Sequence, residues 1–185
     1  MELSSEQVKA MAKEVEGGER HLWNSEPEVC EFIGALVAMI KPKRALEIGV
    51  FQGETSVKII ENMPKDSYFA GVDIEDFRTH NWAGTQHRGS AFDFIKGSSS
   101  DSSTYKGFSD KFDFIFVDSM HHWQHILPEW KIVEKWLAPA GVIVYHDTHH
   151  IEDVARLMEY IENYGYNIIK LQTPYNRGLT LITKA

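Results

Sequence analysis

A chain of 185 residues fits one domain and buries a core large enough to fold without a disulfide or a structural metal. With 43% hydrophobic and 12% aromatic residues it is not a disordered chain. Twenty-seven acidic against 19 basic residues leave a net charge of −8 and no run of Lys or Arg, which argues against duplex DNA or an anionic membrane as partner.

The elements follow in chain order. Ser4 with Gln7 has the form of a capping box, and the helix it opens runs to about Glu16, before Gly17-Gly18. The start, Met1-Glu2-Leu3-Ser4, lacks the basic and apolar stretch of a signal peptide. Ser25 with Glu28, and Pro27 in the first turn, predict a second helix that ends at Lys41-Pro42. It carries the single cysteine, Cys30, which reads as a packed helix residue and implies no oxidising compartment. It also carries the longest apolar run, Phe32 to Ile40, too short to span a bilayer. A cytoplasmic protein is the expectation.

Beyond Pro42 the period changes. Short apolar runs at Arg44–Val50, Tyr68–Ile74, Ala91–Ile95, Phe112–Val117 and Val142–His146 read as buried strands. Helical stretches fall between most strands, at Thr55–Asn62 and His122–Trp136, and Ile151–Asn163 follows the last. The alternation predicts an α/β protein with a doubly wound parallel sheet. Two final strands, Asn167–Gln172 and Gly178–Lys184, are close enough to pair antiparallel. The chain thus divides into N-terminal helices over 1–41 and a core over 42–185, within one domain.

The most informative segment is Glu47-Ile48-Gly49-Val50-Phe51-Gln52-Gly53, where a strand turns into a helix. Glycines there let backbone approach a ligand, and the helix N-terminus offers free N–H groups. The dinucleotide fingerprint is absent, because Phe51 fills the position of its second glycine. Taken alone, the segment also fits a plain tight turn. Asp73 follows at the end of the next strand, where an acid accepts hydrogen bonds from ribose hydroxyls, although Glu75 or Asp76 would compete for the role and a plain loop carboxylate also fits. Together the loop and the acid favour a nucleoside-bearing cofactor.

Further segments occur in a telling order: Lys96-Gly97-Ser98-Ser99, Phe114-Ile115-Phe116-Val117-Asp118-Ser119-Met120-His121, and Gly141-Val142-Ile143-Val144-Tyr145-His146-Asp147-Thr148. With the glycine loop and Asp73, the chain over about residues 26–184 resembles the class I S-adenosylmethionine-dependent methyltransferases. It is most similar to their small-molecule O-methyltransferase branch. The resemblance implies a Rossmann-like sheet of seven strands in order 3-2-1-4-5-7-6, with helices on both faces and the last strand antiparallel. It implies S-adenosylmethionine as cofactor, met by Glu47, Gly49 and Gly53 at the methionyl end, with Val50 and Phe51 also binding the cofactor. Asp73 would take the ribose and Ser98 or Ser99 the adenine edge, and Asp118 would also face the cofactor. Ser119 stands where the branch has glycine, and Ala140-Gly141 where it has Gly-Gly.

In that strand order Asp118 and Asp147 end neighbouring strands, about 5 Å apart laterally. Two such carboxylates repel unless a proton or cation lies between them, and Mg²⁺ with oxygen ligands resolves this. Related metal-dependent enzymes hold their ion at these two positions, although Thr148 stands where catechol-type enzymes have Asn. The plain alternative is that both aspartates cap helices. Six of nine histidines lie between positions 121 and 150, yet no zinc motif is formed. His122, His149 and His150 read as helix-end residues. His121 sits where related sugar and polyketide O-methyltransferases keep their general base, which makes His121 and Asp118 the expected catalytic residues. Of the aromatics Phe51, Trp82, Trp123, Trp130, Tyr145 and Tyr175, which would suit an apolar pocket, most read as core. The stretch Arg78–Gly89 reads as a long loop over the site.

The expected reaction is methyl transfer to a hydroxyl of a small molecule, with no nucleic acid or membrane partner. The N-terminal helices would equally serve a homo-oligomer interface. Two alternatives stand beside it. One is metal-dependent chemistry of another kind on the same fold, as in cephalosporin-hydroxylase-like proteins, using His146-Asp147. The other is a cofactor-binding module without transfer.

Overall fold

The computed structural model describes residue 6, residues 23–80, residue 82 and residues 91–185. The expected helix from Ser4 to Glu16 and most of the loop from Arg78 to Gly89 lie outside the described residues. The elements run α1 (Pro27–Ile40), β1 (Arg44–Ile48), α2 (Glu54–Asn62), β2 (Tyr68–Asp73), β3 (Ala91–Lys96), β4 (Phe112–Val117), α3 (Trp123–Trp136), β5 (Leu137–His146), α4 (Glu152–Asn163), β6 (Tyr166–Leu171) and β7 (Leu179–Lys184). The seven strands form one sheet in the order β3-β2-β1-β4-β5-β7-β6. Strands β1 to β5 are parallel, while β7 runs antiparallel to both β5 and β6. This is the seven-stranded order, with β7 antiparallel, that the resemblance implies.

Alternation of side chains along the strands divides the core into two layers. Leu46, Ile48, Ile115, Val117 and Ile143 pack beneath α3 and α4, against Trp130, Val133, Leu157 and Ile161. On the other face Ala45, Phe114, Phe116 and Val144 meet Val29, Ile33 and Val37 of α1 and Ile59 and Ile60 of α2. In α4 the buried residues Val154, Leu157, Met158 and Ile161 form the one-sided stripe of an amphipathic helix. No helix among the described residues is long and apolar enough to cross a membrane.

Three local expectations need correction. The residue flanking α1 is Glu26, without a side-chain cap; Ser25 instead gives its hydroxyl to Asp118 at 2.7 Å, a tertiary partner outcompeting the local box. Strand β5 starts at Leu137, five residues before the apolar run, because Leu137 pairs with Phe112 ahead of a register shift, after which Val142 pairs with Phe114. Neither Asp118 nor Asp147 caps a helix: the flanking residues of α3 and α4 are His122 and Ile151.

The sheet order reverses between β1 and β4, and ligands of such sheets bind at the carboxyl ends of the strands beside that switch point. Ile48 pairs with Val117 and Val117 with Tyr145, so β1, β4 and β5 end side by side. The residues just beyond these strands, Gly49, Asp118 and Asp147, line the site.

Candidate active site

A cavity of about 750 Å³ lies at these strand ends. Of the residues expected at a cofactor, Gly49, Val50, Phe51, Asp73, Ser98, Ser99 and Asp118 line it. Glu47 and Gly53 do not. Alternation turns Glu47 away from the cavity, where it is 1% exposed and accepts the Ser56 hydroxyl of α2. Burial pushes its carboxyl well above the usual range, and the Ser56 hydrogen bond offsets this only in part. Gly53 ends the loop in the left-handed region as the residue flanking α2.

Gly49 is the position where glycine is required. Its φ is +85°, and a Cβ there would lie 2.0 Å from the carbonyl oxygen of Asp118. The β1 loop therefore touches the end of β4 through backbone alone. Phe51 also takes a left-handed φ of 45°, an unfavourable conformation for a bulky residue. Asp73 holds this loop in shape. Its Oδ2 accepts the amides of Val50 at 2.9 Å and Phe51 at 2.8 Å. Burial raises the Asp73 carboxyl, opposed by these backbone donors.

At the other side Asp118, His121 and Asp147 converge, with donor atoms all within 4.8 Å of one another. His121 Nε2 lies 3.7 Å from Asp118 Oδ1 and 3.4 Å from Asp147 Oδ2. This buried nitrogen has no hydrogen-bond partner among the described residues. Burial alone would lower the imidazole pKa, but the two carboxylates outweigh it and raise it.

Four further residues complete the arrangement, and the sequence reading did not single them out for it: Ser25, Glu26, His146 and Arg177. The Arg177 guanidinium grips Asp147 with Nε at 2.6 Å from Oδ1 and Nη2 at 3.0 Å from Oδ2. Its Nε also lies 3.6 Å from Glu26 Oε1. His146 is buried between Glu26 Oε2, 3.0 Å from Nε2, and Asp118 Oδ2, 3.1 Å from Nδ1. The result is a closed ring of alternating acids and bases: Glu26, His146, Asp118, His121, Asp147 and Arg177. Of the two His146 nitrogens, Nε2 is engaged by Glu26, whereas Nδ1 faces Asp118 without making a hydrogen bond among the described residues. The only sequence signal for Arg177 was its place in the turn before β7, which gives no hint of a partner 30 positions away.

Asp118 and Asp147 bring carboxylate oxygens within 4.8 Å of each other, with His121 and His146 beside both. Asp147 departs from the strand with a left-handed φ of 59°. Even so, Asp118 Oδ1 and Asp147 Oδ2 both face the unpartnered His121 nitrogen. A carboxylate oxygen has two lone pairs, so Asp147 Oδ2 can accept from Arg177 and still ligate a cation. The donor set fits a divalent ion on that ground.

The expected aromatic lining shrinks to Phe51, joined by Trp23 and Phe77, which the sequence did not mark. Trp23 and Phe77 pack against Phe51 at centroid distances of 5.5 and 5.8 Å. Trp82, Trp130 and Tyr145 are core residues, Trp82 against Phe69 and Phe94. Tyr175 is 83% exposed.

Solved structures of similar fold are numerous. The O-methyltransferase from Bacillus cereus in complex with SAH superposes with a TM-score of 0.76, at 16% identity over 89% of this chain and 84% of that one. TomG from Streptomyces achromogenes, an O-methyltransferase involved in tomaymycin synthesis and solved with SAM, gives 0.72 at 18% identity over 88% and 82%. SAH-bound methyltransferase PaMTH1 from Podospora anserina gives 0.69 at 16% identity over 100% and 98%. At these identities the likeness speaks for the fold. Among curated protein sequences none matches the chain. A sequence profile described as a methyltransferase domain matches residues 46–148, from within β1 to Thr148 beyond β5. That match covers more than half of the sequence and includes the loop, Asp73, Asp118, His121 and Asp147, and the chain belongs to this methyltransferase-domain family.

Proposed function

We propose that the protein moves the methyl group of S-adenosylmethionine to a hydroxyl of a small molecule, with a divalent cation at Asp118 and Asp147. The observation that carries this reading is that one cavity is lined by the Gly49–Phe51 loop and Asp73 as well as by Asp118, His121 and Asp147. S-adenosylmethionine supplies a methyl on a cationic sulfur, which departs as a neutral thioether. The cation, when bound, acidifies the acceptor hydroxyl. The chain's own residues align and deprotonate. Asp73 receives the ribose hydroxyls and keeps the loop folded. His121 takes the hydroxyl proton, and Asp118 and Asp147 stabilise the imidazolium that results. Trp23, Phe51 and Phe77 offer an apolar wall that excludes water from the transfer.

Incubation with labelled S-adenosylmethionine, Mg²⁺ and a panel of catechols, sugars and polyketide alcohols tests the reading. Label on an acceptor oxygen is the expected result; label only on nitrogen or carbon would overturn the acceptor class, and binding without any transfer would leave a cofactor-binding module. Asp73→Ala is expected to weaken S-adenosylhomocysteine binding by at least about 10–100-fold, the effect of losing even one hydrogen bond to a charged group at roughly 1.5–3 kcal/mol. The same change frees the amides of Val50 and Phe51, so loop order is lost along with ribose contact. Calorimetry with unchanged affinity would remove Asp73 from the site.

A further inference from the structure

Behind the cavity wall at the β3 end stands a carboxylate with no role in the reaction above. Glu129 of α3 is fully buried, at 0% exposure. Its Oε2 accepts the hydroxyl of Ser99 at 2.5 Å and that of Ser119 at 2.6 Å. His125 Nε2 lies 2.9 Å from Ser99 Oγ and 3.5 Å from the same Glu129 oxygen. The other oxygen, Oε1, has no hydrogen-bond partner among the described residues. Ser99, Ser119 and His125 all line the cavity, whereas Glu129 does not.

Burying a carboxylate is costly, and an apolar residue of similar size would pack α3 more cheaply. What Glu129 does that a leucine would not is fix hydrogens. A serine hydroxyl has one hydrogen, and those of Ser99 and Ser119 both point at Glu129. Towards the cavity these two oxygens therefore present lone pairs only. The loop carrying Ser99 is itself held: Thr104 Oγ1 donates to Ser98 O at 2.7 Å and Tyr105 OH to Ser99 O at 2.9 Å. The hydroxyls cannot easily swing to another polarity.

A wall of acceptors matches a ligand edge that donates. We infer that Glu129 is a positioning residue that sets the hydrogen-bond polarity of Ser99 and Ser119, so that this end of the cavity selects a 6-aminopurine over a 6-oxopurine. The inference rests on the reading of the cavity as an S-adenosylmethionine site. Adenine offers an exocyclic amine there; hypoxanthine offers a carbonyl, whose lone pairs would face those of the two serines.

The test is calorimetry of S-adenosylhomocysteine against its deaminated analogue, S-inosylhomocysteine, with the full chain. The unaltered protein is expected to prefer the adenine compound by about 10–100-fold, the range for leaving one buried polar group unpaired. Glu129→Leu frees both hydroxyls to donate, and the preference should fall to within about 3-fold even if total affinity changes little. Glu129→Gln should retain the preference, because its amide oxygen can take the place of Oε2. Thermal melts identify a variant that does not fold; should Glu129→Leu fail, Ser99→Ala with Ser119→Ala removes the same acceptors and should lower the ratio. Equal binding of the two compounds by the unaltered protein overturns the inference, as does full discrimination by folded Glu129→Leu. Failure of S-adenosylhomocysteine itself to bind would instead remove the cofactor assignment on which the inference stands.

Discussion

His121→Ala is expected to lower the rate of methyl transfer by about 10²–10⁴-fold, the usual contribution of a positioned general base. Affinity for S-adenosylhomocysteine should hardly change, because the loop and Asp73 are untouched. Metal affinity is the readout that separates two roles for the same nitrogen. His121 Nε2 lies within reach of both carboxylates that would hold a cation. A base can be lost without loss of the ion, whereas a ligand cannot. Titration of Mn²⁺ or Mg²⁺ into the variant should give a near-normal affinity. A large fall would recast His121 as a ligand. Chelation of the unaltered protein with EDTA is expected to abolish transfer while leaving cofactor binding nearly intact; undiminished activity after EDTA would eliminate the ion and leave a base-only mechanism. Asp147→Ala should act like chelation, since one carboxylate holds a divalent ion weakly.

Arg177→Ala is expected to produce the largest loss of stability. Asp147 is 1% exposed and depends on two guanidinium hydrogen bonds. Breaking a buried pair by removing one partner costs about 3–5 kcal/mol, because the remaining charge stays desolvated. For a chain of this size that corresponds to a fall in Tm of about 10 °C. Lysine should not rescue it, since an ammonium cannot reproduce the two-pronged contact. The double variant Arg177→Ala/Asp147→Ala should recover part of the loss, as no orphaned carboxylate remains at that position. A thermal shift of less than 2 °C for Arg177→Ala would show that the pair is energetically idle.

The same ring predicts a defined pH window. Burial alone would lower His146, but Asp118 and Glu26 push it up to about 10 from an ordinary 6.5. A raised basic group gives its full stabilisation below its ordinary value and loses it as pH climbs through the folded one. For Glu26 and Asp118, burial raises the carboxyls, but the imidazoles outweigh it and hold them below their ordinary 4.5 and 3.8. Their stabilisation is present above those values and disappears on acidification. Maximal stability of the metal-free protein is therefore expected between about pH 5 and 6.5, with decline on both sides. A series of melts across pH 3 to 10 in EDTA checks this, and a flat profile from 6 to 10 would exclude a charged His146 in the fold.

The strands and helices of the core were legible because buried strands and one-sided helices leave periodic apolar marks. Arg44–Ile48 and Glu152–Asn163 lie within a residue or two of where those marks put them. Residues at strand ends were legible for a different reason: Asp73, Asp118 and Asp147 follow apolar runs directly, so topology alone brings them to one edge. What the sequence concealed was pairing across the chain. Glu26 lay beside an apparent capping box, and local chemistry offered a complete but incorrect use for Ser25. Arg177 sat in a turn with no periodicity to interpret. His146 looked like part of a His-Asp metal motif, whereas its environment is set by residues 28 and 120 positions earlier. Glu129 occupied an amphipathic helix, where a carboxylate is ordinarily a solvent-facing residue, and only the tertiary fold reveals its burial.

The ring also bears on how the chain acquires activity. Arg177 reaches the carbonyl of Asn24 across 153 positions, His146 reaches Glu26 across 120, and Ser25 reaches Asp118 across 93. Closing such spans has a high entropic cost and is rewarded only after the intervening sheet has ordered. Folding of the βα units and competence for chemistry are therefore separate events in time. Chains refolding from denaturant are expected to regain secondary structure first and turnover afterwards, when the segment ahead of α1 and the turn before β7 clasp each other. Opening of the same clasp is expected to remove activity while the sheet is still intact.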